Sequence, residues 1–197
     1  SAGTLNATEY NEAVADLDQP ERDVRLYGER AARAVARFMN RESDLVLGGT
    51  YVDWPIAVVG KIAPANLRVD PAAGLFGLAV LKREGVLATA AGRAAVAAAI
   101  DRAAIVASFS PGLAPVETIL PERLDSAVSP AQPVWATLSA DERRATAMRE
   151  IAALRPKAPL KIALPDGPGS AILFRRLRFA LASIGLTIPA VAIVSLV

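Results

Sequence analysis

The stretch from Leu160 to Val194 constrains the fold more than any other part of the chain. Leu160–Leu164 (LKIAL) has strand composition, and Asp166-Gly167-Pro168-Gly169 supplies turn residues directly after it. Ser170 is placed to cap a helix running to Ile184, Gly185 to close it, and Leu186–Val194 to return as an apolar strand. A strand, a helix and a second strand in this order predict a βαβ unit. Its strands should be parallel, its crossover right-handed and its sheet covered by helices.

A second unit of this kind is predicted upstream. Asp23-Val24-Arg25-Leu26-Tyr27 alternates polar and apolar residues with the period of a half-buried strand. Ala31, Ala34, Val35 and Phe38 then recur at helical spacing, with Arg30, Arg33, Arg37 and Arg41 on the opposite face. Ser43–Gly48 (SDLVLG) is a short apolar run ending in Gly48-Gly49, a buried strand entering a tight loop. Further strands are expected at Leu67–Asp70 and Leu75–Leu81, and an Ala-rich helix over Thr89–Ile100. Asp101 should cap a short helix through Ser108. Prolines 111, 115, 121, 130 and 133 punctuate a long irregular excursion. Ser139-Ala140-Asp141-Glu142 fits a capping box. Its helix would point Ala145, Met148, Ile151 and Leu154 inward and stop before Pro156. The fold class that follows is α/β.

Composition narrows the chemistry. The 197 residues include no His and no Cys, which excludes a histidine general base, a thiolate nucleophile, disulfides and Cys/His zinc sites. A net charge of +2 and 5% aromatic residues argue against a nucleic-acid surface, so the arginine stripe and the trio Arg175, Arg176 and Arg178 read as solvated helix faces. Pro165–Ser170 lies where a phosphate loop would lie, but it lacks the Walker spacing and its lysine, and reads as a structural turn. The carboxylates of Asp44, Asp53, Asp101, Asp125 and Asp166 are scattered, with no spacing that pairs two beside a nucleophile. Leu186–Val197 is interrupted and too short to span a bilayer. No leader is visible. The start at Ser1-Ala2-Gly3 and the apolar last residues suggest a piece of a larger protein.

The loop Gly48-Gly49-Thr50-Tyr51 with Trp54 is the most informative. It should leave the carboxyl end of a strand, where ligands gather in open α/β sheets. Glycine amides there can bind carboxylates or carbonyls, and Tyr and Trp offer flat apolar contact. The competing reading is a plain turn with Trp54 as a core plug.

One run carries a resemblance. Gly74–Val106 (GLFGLAVLKREGVLATAAGRAAVAAAIDRAAIV) resembles the strand and helix of family 5 extracellular solute-binding proteins, the oligopeptide, dipeptide and nickel class of ABC-transporter receptors. Arg93, Ala99-Ile100-Asp101-Arg102 and Ile105-Val106 fill that family's R-x-A…A-I-D-R-x-x-I-V pattern. Arg33–Leu47 resembles the upstream helix and G-x-x-D-[IL]-V strand, with Asn40-Arg41-Glu42-Ser43-Asp44 in place of the usual glycine-led turn. Ala114–Pro121, Met148–Leu154 and Leu160–Leu186 are similar to later segments, so the likeness spans roughly residues 24–197. Val80-Leu81-Lys82 stand where the family often has an Asn, and the residues that hold peptide termini in such receptors fall largely outside this segment.

The resemblance implies βαβ units of a type II periplasmic-binding-protein-like fold, with 1–73 from the end of lobe I and 74–197 from the start of lobe II. It implies a periplasmic component of an ABC importer that captures a peptide or other small solute by lobe closure and delivers it to the transmembrane permease. Neither catalysis, cofactor, metal nor nucleic acid enters. The expected ligand-binding residues are Gly49, Thr50, Tyr51 and Trp54. The alternative from another class is an intracellular ligand-sensing domain of the same fold linked to a DNA-binding domain. An enzyme relying on Asp44, Asp53 and Asp166 ranks last.

Overall fold

The computed structural model describes residues 24–69, 75–109, 113–120, 128–189 and 191–194, the last four by backbone alone. The chain divides into two units at Arg30/Ala31, and the elements below belong to the second. In order they are α1 (Ala31–Met39), α2 (Trp54–Val59), α3 (Ala90–Ala99), α4 (Arg102–Val106), α5 (Ala140–Leu154), β1 (Ile162–Pro165), α6 (Pro168–Ala182) and β2 (Val191–Val194), with short 3₁₀ turns at Pro64–Asn66, Gly85–Leu87 and Val134–Thr137.

The C-terminal strand–helix–strand is built as its sequence predicts. β1 and β2 pair in parallel, Ile162 opposite Val191 and Pro165 opposite Val194, with α6 as the crossover. Two boundaries differ from expectation. The helix starts at Pro168, a residue suited to the first turn because its missing N–H costs no hydrogen bond there. Gly167 (φ +146°) takes the N-cap place, so Ser170 lies inside the helix. β2 begins only at Val191, because Leu186 and Ile188 turn into the core while the Leu160 N–H donates to the Thr187 carbonyl at 3.0 Å. Gly185, at φ +88°, closes the helix as predicted.

The core forms around α6. Leu173, Leu177, Leu181 and Ile184 follow one another at spacings of four, four and three, and all are fully buried. Ile162 and Leu164 come in from β1, Ala147 and Ile151 from α5, and Ala95 and Val86 from α3 and the turn before it. Each full-sized aliphatic side chain so buried contributes about 1.5–3 kcal/mol. Ser139 caps α5 in a complete capping box, as its sequence predicts. The inward face of α5 is shifted, however. Ala147 and Ile151 are buried, while Ala145 is exposed and Met148 is 47% exposed. The reason is the partner surface: α5 lies against the alanine face of α3, which only a small residue such as Ala147 can approach closely.

The remaining strand expectations are not met. Val24–Tyr27, Ser43–Gly48, Leu67–Val69 and Leu75–Leu81 have no strand pairing among the described residues, and Asp23 and Asp70 lie outside them. Val24, Leu26, Leu45, Leu47, Leu75 and Leu81 are exposed. An apolar run becomes a strand only when a neighbouring strand takes up its N–H and C=O groups, and no described strand pairs with these runs. Among the described residues α1 itself forms, without the flanking paired strands of the expected βαβ unit.

Candidate functional site

Gly48 takes a left-handed backbone conformation at φ +82°, and a side chain at Gly49 would meet no atom within 4 Å. The next residues knot themselves into a turn. The Thr50 carbonyl accepts from the Asp53 N–H (3.0 Å) and the Trp54 N–H (3.1 Å), which starts α2. Asp53 Oδ2 accepts from the Thr50 N–H (3.2 Å) and its hydroxyl (3.3 Å), while Thr50 Oγ1 accepts from the Val52 N–H (3.2 Å). Thr50 and Asp53 thus lock one another, and the Asp53 carboxylate is committed to the turn.

This knot is clamped to the first turn of α6, immediately after the carboxyl end of β1. The Gly169 N–H donates to the Val52 carbonyl at 2.8 Å. A Cβ on Gly169 would lie 2.0 Å from the Tyr51 carbonyl oxygen, and one on Gly167 would lie 2.2 Å from Val52 Cγ1. Gly169 is therefore needed for backbone approach, and Gly167 for its φ of +146° beside the Val52 side chain.

Tyr51 is the centre of the arrangement. Its ring lies 4.6 Å from Phe76 in tilted contact and 5.9 Å from Phe109 edge-on. Its hydroxyl stands 3.5 Å from Oγ of Ser170, which is only 6% exposed. The result is a partly covered aromatic group with one phenol tip, on a loop held at the end of a parallel strand. Of the four residues expected to bind ligand, Tyr51 meets the α6 turn, and Thr50 braces the knot behind it through Asp53. Gly49 stands clear beside them, and Trp54 is half-buried as the first residue of α2. Phe76, Phe109 and Ser170 complete the group. Sequence reasoning missed them because they lie between 25 and 119 residues from Tyr51, with no local pattern to join them.

A second cluster escaped the sequence as well. Glu117 lies between Arg143 (Nη1 to Oε1, 2.7 Å) and Arg102 (Nε to Oε2, 3.2 Å), and both guanidiniums lie over Trp135, at 4.8 Å for Arg102 and 5.2 Å for Arg143. Arg143 also donates to the Leu138 carbonyl (2.9 Å) and the Ala136 carbonyl (2.7 Å). Arg102 donates to the Ala97 carbonyl (3.0 Å) and the Ile100 carbonyl (3.1 Å), closing the end of α3. Partial burial lowers the Arg102 pKa, Glu117 opposes that shift and Arg143 adds to it. Arginine nonetheless stays charged at neutral pH. Asp101 caps α4 through the Ala104 N–H at 2.9 Å. The Ala99–Arg102 motif therefore does structural work here: its acid starts one helix and its base finishes the preceding one.

The described candidate carboxylates do not converge, and Asp125 lies outside the described residues. Asp44 lines an open cavity of about 450 Å³ with Phe38, Arg41 and Asn66, Asp53 is held by Thr50, and Asp166 lies in the turn before α6. A second cavity of about 260 Å³ lies between α3 and α5, with Trp135 in its wall. Neither cavity is lined by Gly49, Thr50, Tyr51 or Trp54. Among the described residues no cluster of acids could hold a metal ion, and no helix is long and apolar enough to cross a membrane. No protein family, characterised protein or solved structure matches the chain.

Proposed function

We propose that this chain binds a small solute, a peptide or a molecule of similar polarity, without transforming it, as part of a receptor of the family 5 solute-binding type. The observation that carries the proposal is the seating of Tyr51 at the carboxyl end of β1, among Phe76 and Phe109, on a loop clamped by Gly169. A flat apolar wall with a phenol tip, next to the open backbone of Gly49, suits a guest with an apolar body and a few polar groups. Capture of this kind needs differential affinity for a closed state and no bond making. The same receptor reading makes the periplasm its location and the transmembrane subunits of an ABC importer its partner.

Isothermal titration and thermal melting with peptide and metal–chelate libraries test the proposal. Heat of binding and a rise in thermal midpoint that Tyr51→Ala abolishes are expected. Binding that survives Tyr51→Ala unchanged would place the guest elsewhere.

A further inference from the structure

From Leu75 to Arg83 the chain forms no helix, turn or bend, and none of its N–H or C=O groups hydrogen-bonds to another described residue. Leu75, Phe76, Leu78, Val80 and Leu81 are all exposed, Leu81 at 84%. An apolar run with a free ladder of donors and acceptors is an open template for strand addition. Its sequence indicates what fills it. Leu-Phe-Gly-Leu-Ala-Val-Leu is close to symmetric about Leu78. Turned against a copy of itself, it sets Leu75 opposite Leu81, Phe76 opposite Val80, Gly77 opposite Ala79 and Leu78 opposite Leu78. Large residues meet large, small meet small, and the aromatic meets a β-branched residue, a favourable cross-strand pair. Lys82, Arg83 and Glu84 all fall beyond the paired stretch, so no like charges are opposed. Moving the centre one residue to Ala79 would set Phe76 against Lys82.

We infer that Leu75–Leu81 is a homodimer strand, pairing antiparallel with the same segment of a second copy about a two-fold axis at Leu78. A two-fold strand pair is self-complementary: each copy uses one edge, and the same residues meet from both sides. The inference does not depend on ligand capture.

The absence of cysteine makes the test direct. Directly opposed residues of an antiparallel pair have Cα atoms about 4.5–5.5 Å apart, within disulfide range. Leu78→Cys should give a covalent dimer under mild oxidation, Leu81→Cys alone should not, and a mixture of Leu75→Cys with Leu81→Cys should cross-link between unlike chains. By light scattering the unmodified 197-residue chain should be dimeric. Val80→Pro should return it to monomer with its circular-dichroism spectrum kept, because position 80 lies outside the core. A monomer at all concentrations overturns the inference, and so does cross-linking of Leu81→Cys alone as complete as that of Leu78→Cys.

Discussion

The smallest residues carry the sharpest constraints on the candidate site. Gly169 admits the Tyr51–Val52 backbone only because it has no Cβ. Gly169→Ala should therefore destabilise the protein by about 1–3 kcal/mol, the usual cost of overpacking, measured by urea unfolding. The same change should raise the accessibility of Tyr51 to solvent quenchers, since the loop must move off α6. Tyr51 itself separates two contributions. Tyr51→Phe keeps the ring against Phe76 and Phe109 and removes only the hydroxyl near Ser170, so any solute affinity should fall modestly. Tyr51→Ala removes the aromatic surface and should cost most of it. A calorimetric comparison of the two variants checks this order.

Among the elements, α5 is held at its N-terminus and along its flank. The Glu142 carboxyl is kept below its ordinary value chiefly by the Ser139 hydroxyl, and next by the Ser139 backbone N–H. A folded-state pKa below the unfolded one means that this stabilisation is complete above the ordinary carboxylate pKa of about 4.3 and is lost as pH falls through the depressed value. Glu142→Gln should flatten that acid limb in a series of thermal melts between about pH 3 and pH 7. Ser139→Ala should cost about 1 kcal/mol at neutral pH, the usual worth of an N-cap. On the flank, Glu117→Gln leaves Arg102 and Arg143 facing one another without their shared anion. A loss of roughly 1–3 kcal/mol in urea unfolding is expected for this half-buried network, smaller than for a fully buried one. The emission of Trp135 should shift with it, because both guanidiniums lie over that ring.

At this same level the sequence was legible where structure is local. Ser139 with Glu142, Asp101 with Ala104, and Gly185 after a helix all act on neighbours within a few residues, and each was readable from spacing alone. The Leu160–Val194 unit was legible for the same reason, since its strands are joined by one helix. Segments 43–48 and 75–81 were misjudged because apolar composition records strand propensity but not the presence of a partner strand. The site was half legible. Glycine and aromatic content singled out the Thr50–Trp54 loop, but nothing local placed Phe76, Phe109 and Ser170 around Tyr51. The Glu117 network was invisible to spacing, its two arginines lying 15 and 26 residues from Glu117 on separate elements.

At the scale of the whole molecule, the β1–α6–β2 unit with α3 and α5 holds the buried core and is the platform to which the Thr50–Trp54 loop is fixed. A rigid platform holding an aromatic loop at a strand end is suited to recognition, because the loop's geometry is fixed before a guest arrives. Trp54 follows that loop directly and Trp135 lies in the distant arginine cluster, so a Trp135→Phe variant makes Trp54 the sole tryptophan reporter. The most direct measurement is a fluorescence titration of that variant with short peptides, read together with the thermal midpoint. A saturable change in Trp54 emission, matched by a rise in midpoint and lost in Tyr51→Ala, is the predicted result. A flat titration with an unmoved midpoint across the whole peptide series would contradict the claim that this loop receives a solute.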